Sequence, residues 1–376
     1  MAYDAKVSEQ RVVDEFVELV RIDSPSHEEA AMAAALEAKL SEMGFVVAND
    51  RTGPSTGNLV ARLAASSPGG ATIALNAHTD TVQPGRGVRP VIRDGAVWSS
   101  GDTVLGADCK ASIAAILEGI RAVQEAGAPL PNLELLLTWG EEGAHTGAKA
   151  LDTAGLRSAV CFTLDAAAPV GTVITSAPAY HAIKASFRGR AAHAGVSPES
   201  GINALVAASR AIARMPLGRI DEETTANIGL IRGGTGRNTV PELVEIEGEA
   251  RSRDNAKLAA QIEAMTAAMR EEARRVGATL ELTVTPQYQA YSLPADSPAV
   301  VMASKATQRL GLPVRLAATG GGSDANEFNV KGLPSVVLGS GMVAPHTLQE
   351  HIAISDLVLL SRLVVELIAV AAEEGK

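Results

Sequence analysis

Two histidines and five carboxylates stand where short apolar runs give way to polar residues. They are His78 and Asp80 in AHTD, Asp108 in GADCK, Glu141 and Glu142 in TWGEEG, Asp165 in TLDA, and His346 in APHTLQEH. Imidazole and carboxylate are donors suited to zinc, and also to cobalt or manganese. A lone His-x-Asp says little, but several such positions in one chain make a set large enough for two divalent ions. One shared carboxylate would hold such ions about 3.5–4 Å apart, the spacing used in two-metal hydrolysis. Glu141 and Glu142 are adjacent, so on an extended chain emerging from a strand they point to opposite faces. That arrangement suggests two different jobs.

The elements that must position these residues alternate in type. Residues 7–21 and 28–43 have helical spacing, with Gly44 ending the second helix. TIALNAHTD, LELLLTW and SAVCFTLD are short apolar runs that read as strands, and 110–127 reads as a helix between them. Alternating strands and helices predict an α/β catalytic domain with a mostly parallel central sheet, whose ligand crevice lies beyond the strand ends. The pattern changes after TSAPAY. Four strands (HAIKASFRGR, 225–234, 242–253 and 278–291) and two helices (201–214 and 254–276) predict a smaller α+β insert, ferredoxin-like with an antiparallel sheet. From about 296 the α/β character returns with a helix, the strand PSVVLG and a closing helix near 354–373. The expected division is therefore 1–177, 178–293 and 294–376, one domain interrupted by another. AASSPGG (64–70) reads as a loop, and IRGGTGRN (231–238) as a turn between strands, since it lacks the ending of a phosphate loop.

Composition narrows the class. The chain has 376 residues, 46% hydrophobic and 20% charged, with a formal charge of -10. No basic stripe suggests a nucleic-acid partner, and no run of about eighteen apolar residues suggests a membrane span. Charges interrupt the N-terminal stretch where a signal peptide needs its apolar core, which favours the cytoplasm. The two cysteines, Cys109 and Cys161, read as free thiols.

AHTDTV, LGADCKASIAA, GEEGAHTGAK, GRAAHAGVSPESGINA, GGSDANEFN and PHTLQE, in that order, resemble a known family across nearly the whole chain. It is the family of dimetal peptidases and deacylases that includes tripeptidase T, carboxypeptidase G and acetylornithine deacetylase, and the wording leans towards the tripeptidase T-like branch. The resemblance implies that His78 and Asp165 hold one metal, that Glu142 and His346 hold the other, and that Asp108 bridges them. It implies an unusual cis peptide at Asp108–Cys109. It also implies that Asp80 orients His78, which agrees with geometry, since residues two apart on a strand share a face. Glu141 would be the general base for the water shared by the metals. The insert would be a lid and dimerisation domain, placing His193 as a donor to the oxyanion, within one chain or across a homodimer. Asn238, Arg251, Gly321 and Gly322 would contact substrate.

The resulting expectation is a metal-dependent hydrolase of amide bonds in small peptides, tripeptidase-like in its action. Its same-family alternative is an N-acyl amino acid deacylase or carboxypeptidase, and a further alternative is a metal-binding regulator without turnover. Other residues carry less. Asp108 could also cap the helix that follows it. His145 has no counterpart in the motif and reads as a neighbour of the ligands or as loop surface. His351 reads as surface, His27 and His181 as structural or exposed, and Cys109 as a packed thiol.

Overall fold

The strand Leu133–Thr138 is buried along its whole length, because LELLLT offers only Glu134 and Thr138 as polar exceptions to a continuous apolar run. In the computed structural model, which describes residues 4–66 and 69–374, this strand lies inside a large mixed sheet. Ser67 and Pro68 of the AASSPGG loop lie outside the described residues. The sheet order is Val46–Asn49, Leu59–Leu63, Leu133–Thr138, Ile73–His78, Val160–Ala166, Ser335–Gly339 and Thr172–Ala177. Parallel pairs run through the middle: Ile73–His78 runs parallel to both Leu133–Thr138 and Val160–Ala166, which in turn runs parallel to Ser335–Gly339, while Arg315–Ala318 pairs with Thr172–Ala177 off this path. The flanking pairs are antiparallel. The middle strands therefore finish along one edge, where a ligand crevice forms in sheets of this kind.

Strand periodicity sorts the residues into two faces. Ile73, Leu75, Ala77, Leu133, Leu135, Leu137, Phe162 and Leu164 join the main core, shared with the helices Glu9–Val20, Ala107–Glu125, Pro298–Arg309 and Ile354–Glu373. Ala74, Leu136 and Cys161 belong to a smaller cluster with Ala148 and Phe328, from the short helices Thr146–Ala150 and Asp324–Val330. By the same alternation His78, Thr138 and Asp165 share the face of that smaller cluster. The apolar core is thus continuous on one side, and the polar strand ends collect on the other.

The chain divides into two units, the first being Met1–Thr175, Leu293–Ala318 and Ser323–Lys376, and the second Ser176–Ser292 with Thr319–Gly322. The second has an antiparallel sheet in the order Gly218–Arg219, Thr224–Gly233, Leu243–Ser252, Ala179–Arg188, Thr279–Tyr288. The helices Ala204–Arg214 and Asn255–Val276 pack on each other and on this sheet around Phe187, Ile246 and Met269. The first is capped by Asn203 and the second by Asp254, whose side chains accept backbone N–H groups. A small third sheet, absent from the sequence expectation, joins Met342–Val343, His351–Ala353, Ala96–Ser99 and Pro90–Arg93 in the first unit. Among the described residues no helix is long and apolar enough to cross a membrane.

Helices Ala107–Glu125 and Ile354–Glu373 meet closely at Gly119, where a Cβ would lie 2.7 Å from the Val364 side chain and 2.9 Å from Ser361 O. Gly119→Ala should lower stability by about 1–3 kcal/mol, the usual range for overpacking, despite the better helix propensity of alanine. Denaturant unfolding checks this, and an unchanged or raised midpoint would contradict the close approach.

Candidate metal centre

The first unit brings His78, Asp80, Asp108, Glu141, Glu142, Asp165 and His346 together. His78 ends its strand, is almost fully buried, and places Nε2 3.0 Å from Asp108 Oδ1 and 3.6 Å from Asp165 Oδ1. His346, half-exposed and in a left-handed conformation with φ 62°, places Nε2 3.2 Å from Asp108 Oδ2 and 2.9 Å from Glu142 Oε1. The two oxygens of Asp108 therefore face two different imidazoles. The first turn of Ala107–Glu125 is kinked at Asp108 and Cys109, and the peptide between them is cis. Asp108 does not cap that helix, since its carboxylate is turned to the histidines.

Asp80 does more than the sequence suggested. His78 Nδ1 lies 3.0 Å from the Asp80 carbonyl and 3.3 Å from its Oδ1. A proton on Nδ1 serves those acceptors and leaves the Nε2 lone pair for a cation. The same carboxylate accepts from Glu141 N at 2.9 Å, Glu142 N at 3.2 Å and the Ser26 hydroxyl at 2.6 Å. The adjacent glutamates consequently sit on a turn. The expectation of an extended chain is corrected here: the strand stops at Thr138, and Gly140, at φ 58°, starts the turn that Asp80 holds from below. A left-handed residue followed by two anchored amides separates the two side chains, in place of strand alternation.

His145 follows in the same turn, buried, with Nε2 3.3 Å from Glu141 Oε1. Of the two expectations for it, the buried neighbour holds and loop surface does not. His351 is half-buried in the small sheet, where its ring stacks on Trp98 at 3.7 Å. Cys109 and Cys161 are buried free thiols, and Cys109 Sγ donates to Leu164 O. Sequence reasoning passed over Asp324. It lies at the start of a short helix and accepts from the Thr138 hydroxyl and from Asn76 Nδ2, directly beneath the strand ends.

Burial and charge shift the titration of this cluster. Burial, and then the neighbouring Asp108 charge, raise the pKa of Asp165 to about 7. Burial and the charge of Asp165 push Glu141 well above the usual carboxylate range, and burial lifts Asp324 to about 6. Hydrogen bonds donated to the Asp108 and Glu142 carboxylates raise His346 to about 10. Burial opposes a proton on His78, but Cys109 and the carboxylates of Asp108, Asp165 and Asp80 together hold its pKa well above the usual imidazole range. Protons gather because buried carboxylates outnumber cations here, and divalent ions would meet the same demand. The donor atoms are spaced for this. Those of His78, Asp108 and Asp165, of His78, Glu141 and Glu142, and of Asp108, Glu142 and His346 each lie within 4.8 Å of one another. The residues fit a pair of divalent cations.

The remaining expected residues belong to the second unit. His193 is exposed, and its Nδ1 accepts from Gly195 N at 3.2 Å, so Nε2 is the ring nitrogen left to donate. Asn238 is its neighbour, through Ala194 N to Asn238 O at 2.9 Å. The Arg251 guanidinium is already forked onto Glu249 at 3.1 and 3.0 Å, over the Tyr180 ring and within 3.3 Å of the Tyr288 hydroxyl. Gly322 admits no side chain, since a Cβ would lie 2.4 Å from the Tyr288 ring, and Gly321 N donates to the Thr319 hydroxyl.

The family model described as Peptidase family M20/M25/M40 matches residues 74–370. The chain is 41% identical over 371 residues to the protein YqjE of Bacillus subtilis, covering 98% of this chain and 100% of that one. Two solved structures each cover 98% of this chain and 100% of their own. One is aminopeptidase PepT of Bacillus cereus, with TM-score 0.89 and 40% identity, and the other a tripeptidase of Staphylococcus aureus, with TM-score 0.94 and 36% identity.

Asp80→Ala should weaken divalent-cation affinity by about 10–100-fold, the usual cost of removing the partner of a ligand. Competition against a chromophoric chelator measures it, and wild-type affinity in the variant would show that His78 and the glutamate turn do not depend on Asp80.

Proposed function

The chain belongs to the peptidase family M20/M25/M40, and from that premise we propose that it is a dimetal hydrolase of amide bonds in small peptides, acting as a tripeptidase-like aminopeptidase. The observation that carries the reading is Asp108, whose Oδ1 faces His78 and whose Oδ2 faces His346. The substrate class is supported by the solved relatives described as an aminopeptidase and a tripeptidase, each matched over its full length.

In this reading His78 and Asp165 would hold one ion and Glu142 and His346 the other, with Asp108 serving both, and zinc would be the first choice with cobalt or manganese the others. When bound, such ions supply Lewis-acid polarisation of a carbonyl and favour ionisation of an attacking water. The chain's own groups do the rest. Glu141 accepts the water's proton on its carboxylate and returns it to the leaving amine, and His145 at 3.3 Å keeps that carboxylate in place. His193 donates from Nε2 to the developing oxyanion. Asn238, Gly321 and Gly322 contact the substrate backbone, and Arg251 would have to release Glu249 to take a substrate carboxylate. Besides substrate, the proposed partner is a second copy through the second unit. The strand Thr224–Gly233 supports this, because it exposes Leu230 and Ile231 beyond its short pairing with Gly218–Arg219.

Glu141→Gln should keep its metal content while kcat falls by about 10²–10⁴-fold. Glu142→Ala should instead lose one ion per chain. Metal analysis alongside steady-state kinetics separates them, and loss of metal from the glutamine variant would reverse the two assignments. Zinc-, cobalt- and manganese-loaded protein should release the amino-terminal residue of free tripeptides. Preference for N-acylated amino acids would make it a deacylase, and no turnover of either would make it a metal-binding regulator. His193→Ala should lower kcat with metal content unchanged, and an undiminished kcat would remove its oxyanion role.

A further inference from the structure

Glu350 is buried, four residues beyond His346, and has no place in the chemistry described above. Its Oε2 accepts from Leu105 N at 2.8 Å and Gly106 N at 2.9 Å, and its Oε1 accepts from Asp108 N at 3.0 Å. Leu105 and Gly106 lead into the helix Ala107–Glu125 and Asp108 lies in its kinked first turn, while Gly106, the residue at its N-cap, has no side chain to cap it. The first amides of a helix need acceptors from outside it, and an anion there is favoured. Here the acceptor comes from a segment more than 240 residues away in the chain.

That segment also carries His346. Between the two residues the Thr347 hydroxyl donates to Ala344 O and accepts from Gln349 N, and Glu350 N donates to Thr347 O, so 344–350 is a closed turn. One carboxylate thus ties the turn bearing His346 to the loop bearing Asp108, whose Oδ2 faces His346 Nε2 at 3.2 Å. Both of its oxygens receive backbone N–H groups. An amide of the same shape would turn an NH₂ group towards one of those donors and lose an acceptor.

We propose that Glu350 is a positioning residue for the metal centre, setting Asp108 against His346 so that both serve one ion. The inference rests on the dimetal reading. Glu350→Gln should weaken divalent-cation affinity by about 10–100-fold, with the loss concentrated in the more weakly held ion. Glu134→Gln is the control. Glu134 is also buried and accepts Arg157 N and Ser158 N, but at the opposite end of the strand that leads to the glutamates. It should lower the thermal midpoint of the metal-free protein and leave cation affinity as in the wild type.

Chelator competition and thermal unfolding of the metal-free proteins give the two readouts. A Glu350→Gln variant that loses stability but binds both ions as tightly as the wild type would overturn the inference alone. A wild type that takes up no divalent ion would overturn the dimetal reading and this inference with it. If Glu350→Gln does not fold, hydrogen exchange in the metal-free wild type decides. The amides of Leu105, Gly106 and Asp108 should then be protected, and exchange at the rate of an open loop would overturn the inference.

Discussion

A carboxylate removed from water must be met by a cation or by hydrogen-bond donors. The first unit buries several at one edge of its sheet and meets them in two ways. Asp80, Glu350 and Glu29 accept backbone N–H groups of the loops around them: Glu141 and Glu142 for the first, Leu105, Gly106 and Asp108 for the second, His27 and Gly140 for the third. Asp108, Asp165, Glu141 and Glu142 instead face imidazoles or one another. The first set fixes the loops by satisfying itself on their amides. The second is left with a charge that the chain does not balance, and that imbalance is what makes the site a place for cations.

The rest of the fold serves this arrangement. Parallel strands bring His78, the glutamate turn and Asp165 to one edge, and their two-residue period turns His78 and Asp165 to the same face. Asn76 and Thr138, on that face, bind Asp324, so the layer under the site is itself polar and hydrogen-bonded. The opposite face is apolar, and helices packed as closely as Gly119 allows hold it in place. A rigid core on one side permits a strongly charged edge on the other.

Much of this was legible in the sequence, and the exceptions have a common cause. The apolar runs gave the central strands, since a run such as LELLLT has few other ways to bury itself. The alternation after residue 178 gave the antiparallel sheet. The His78 and Asp80 pair was expected from two-residue spacing on a strand, but the strand ends at His78, and Asp80 meets the imidazole with its backbone carbonyl at 3.0 Å as well as with its carboxylate at 3.3 Å. The glutamate turn was not, because Gly140 at positive φ and the grip of Asp80 depend on residues about sixty positions away. Glu350 and Asp324 fall inside PHTLQE and GGSDANEFN, yet they and Glu29 were given no role, as their partners are backbone amides or distant side chains. The small sheet that includes His351 escaped because its strands are two to four residues long. His145 was expected either beside the ligands or on the loop surface, and its contact with Glu141 four residues back depends on the turn that replaces the expected strand.

In the proposed centre Asp108 is shared by two cations, one on the His78 side and one on the His346 side. Anomalous diffraction at the zinc edge, from crystals of the zinc-loaded wild-type protein, tests it directly. Two peaks should flank the Asp108 carboxylate, one also beside His78 and Asp165, the other beside Glu142 and His346. A single peak, or peaks that leave Asp108 without contact to either, would contradict it.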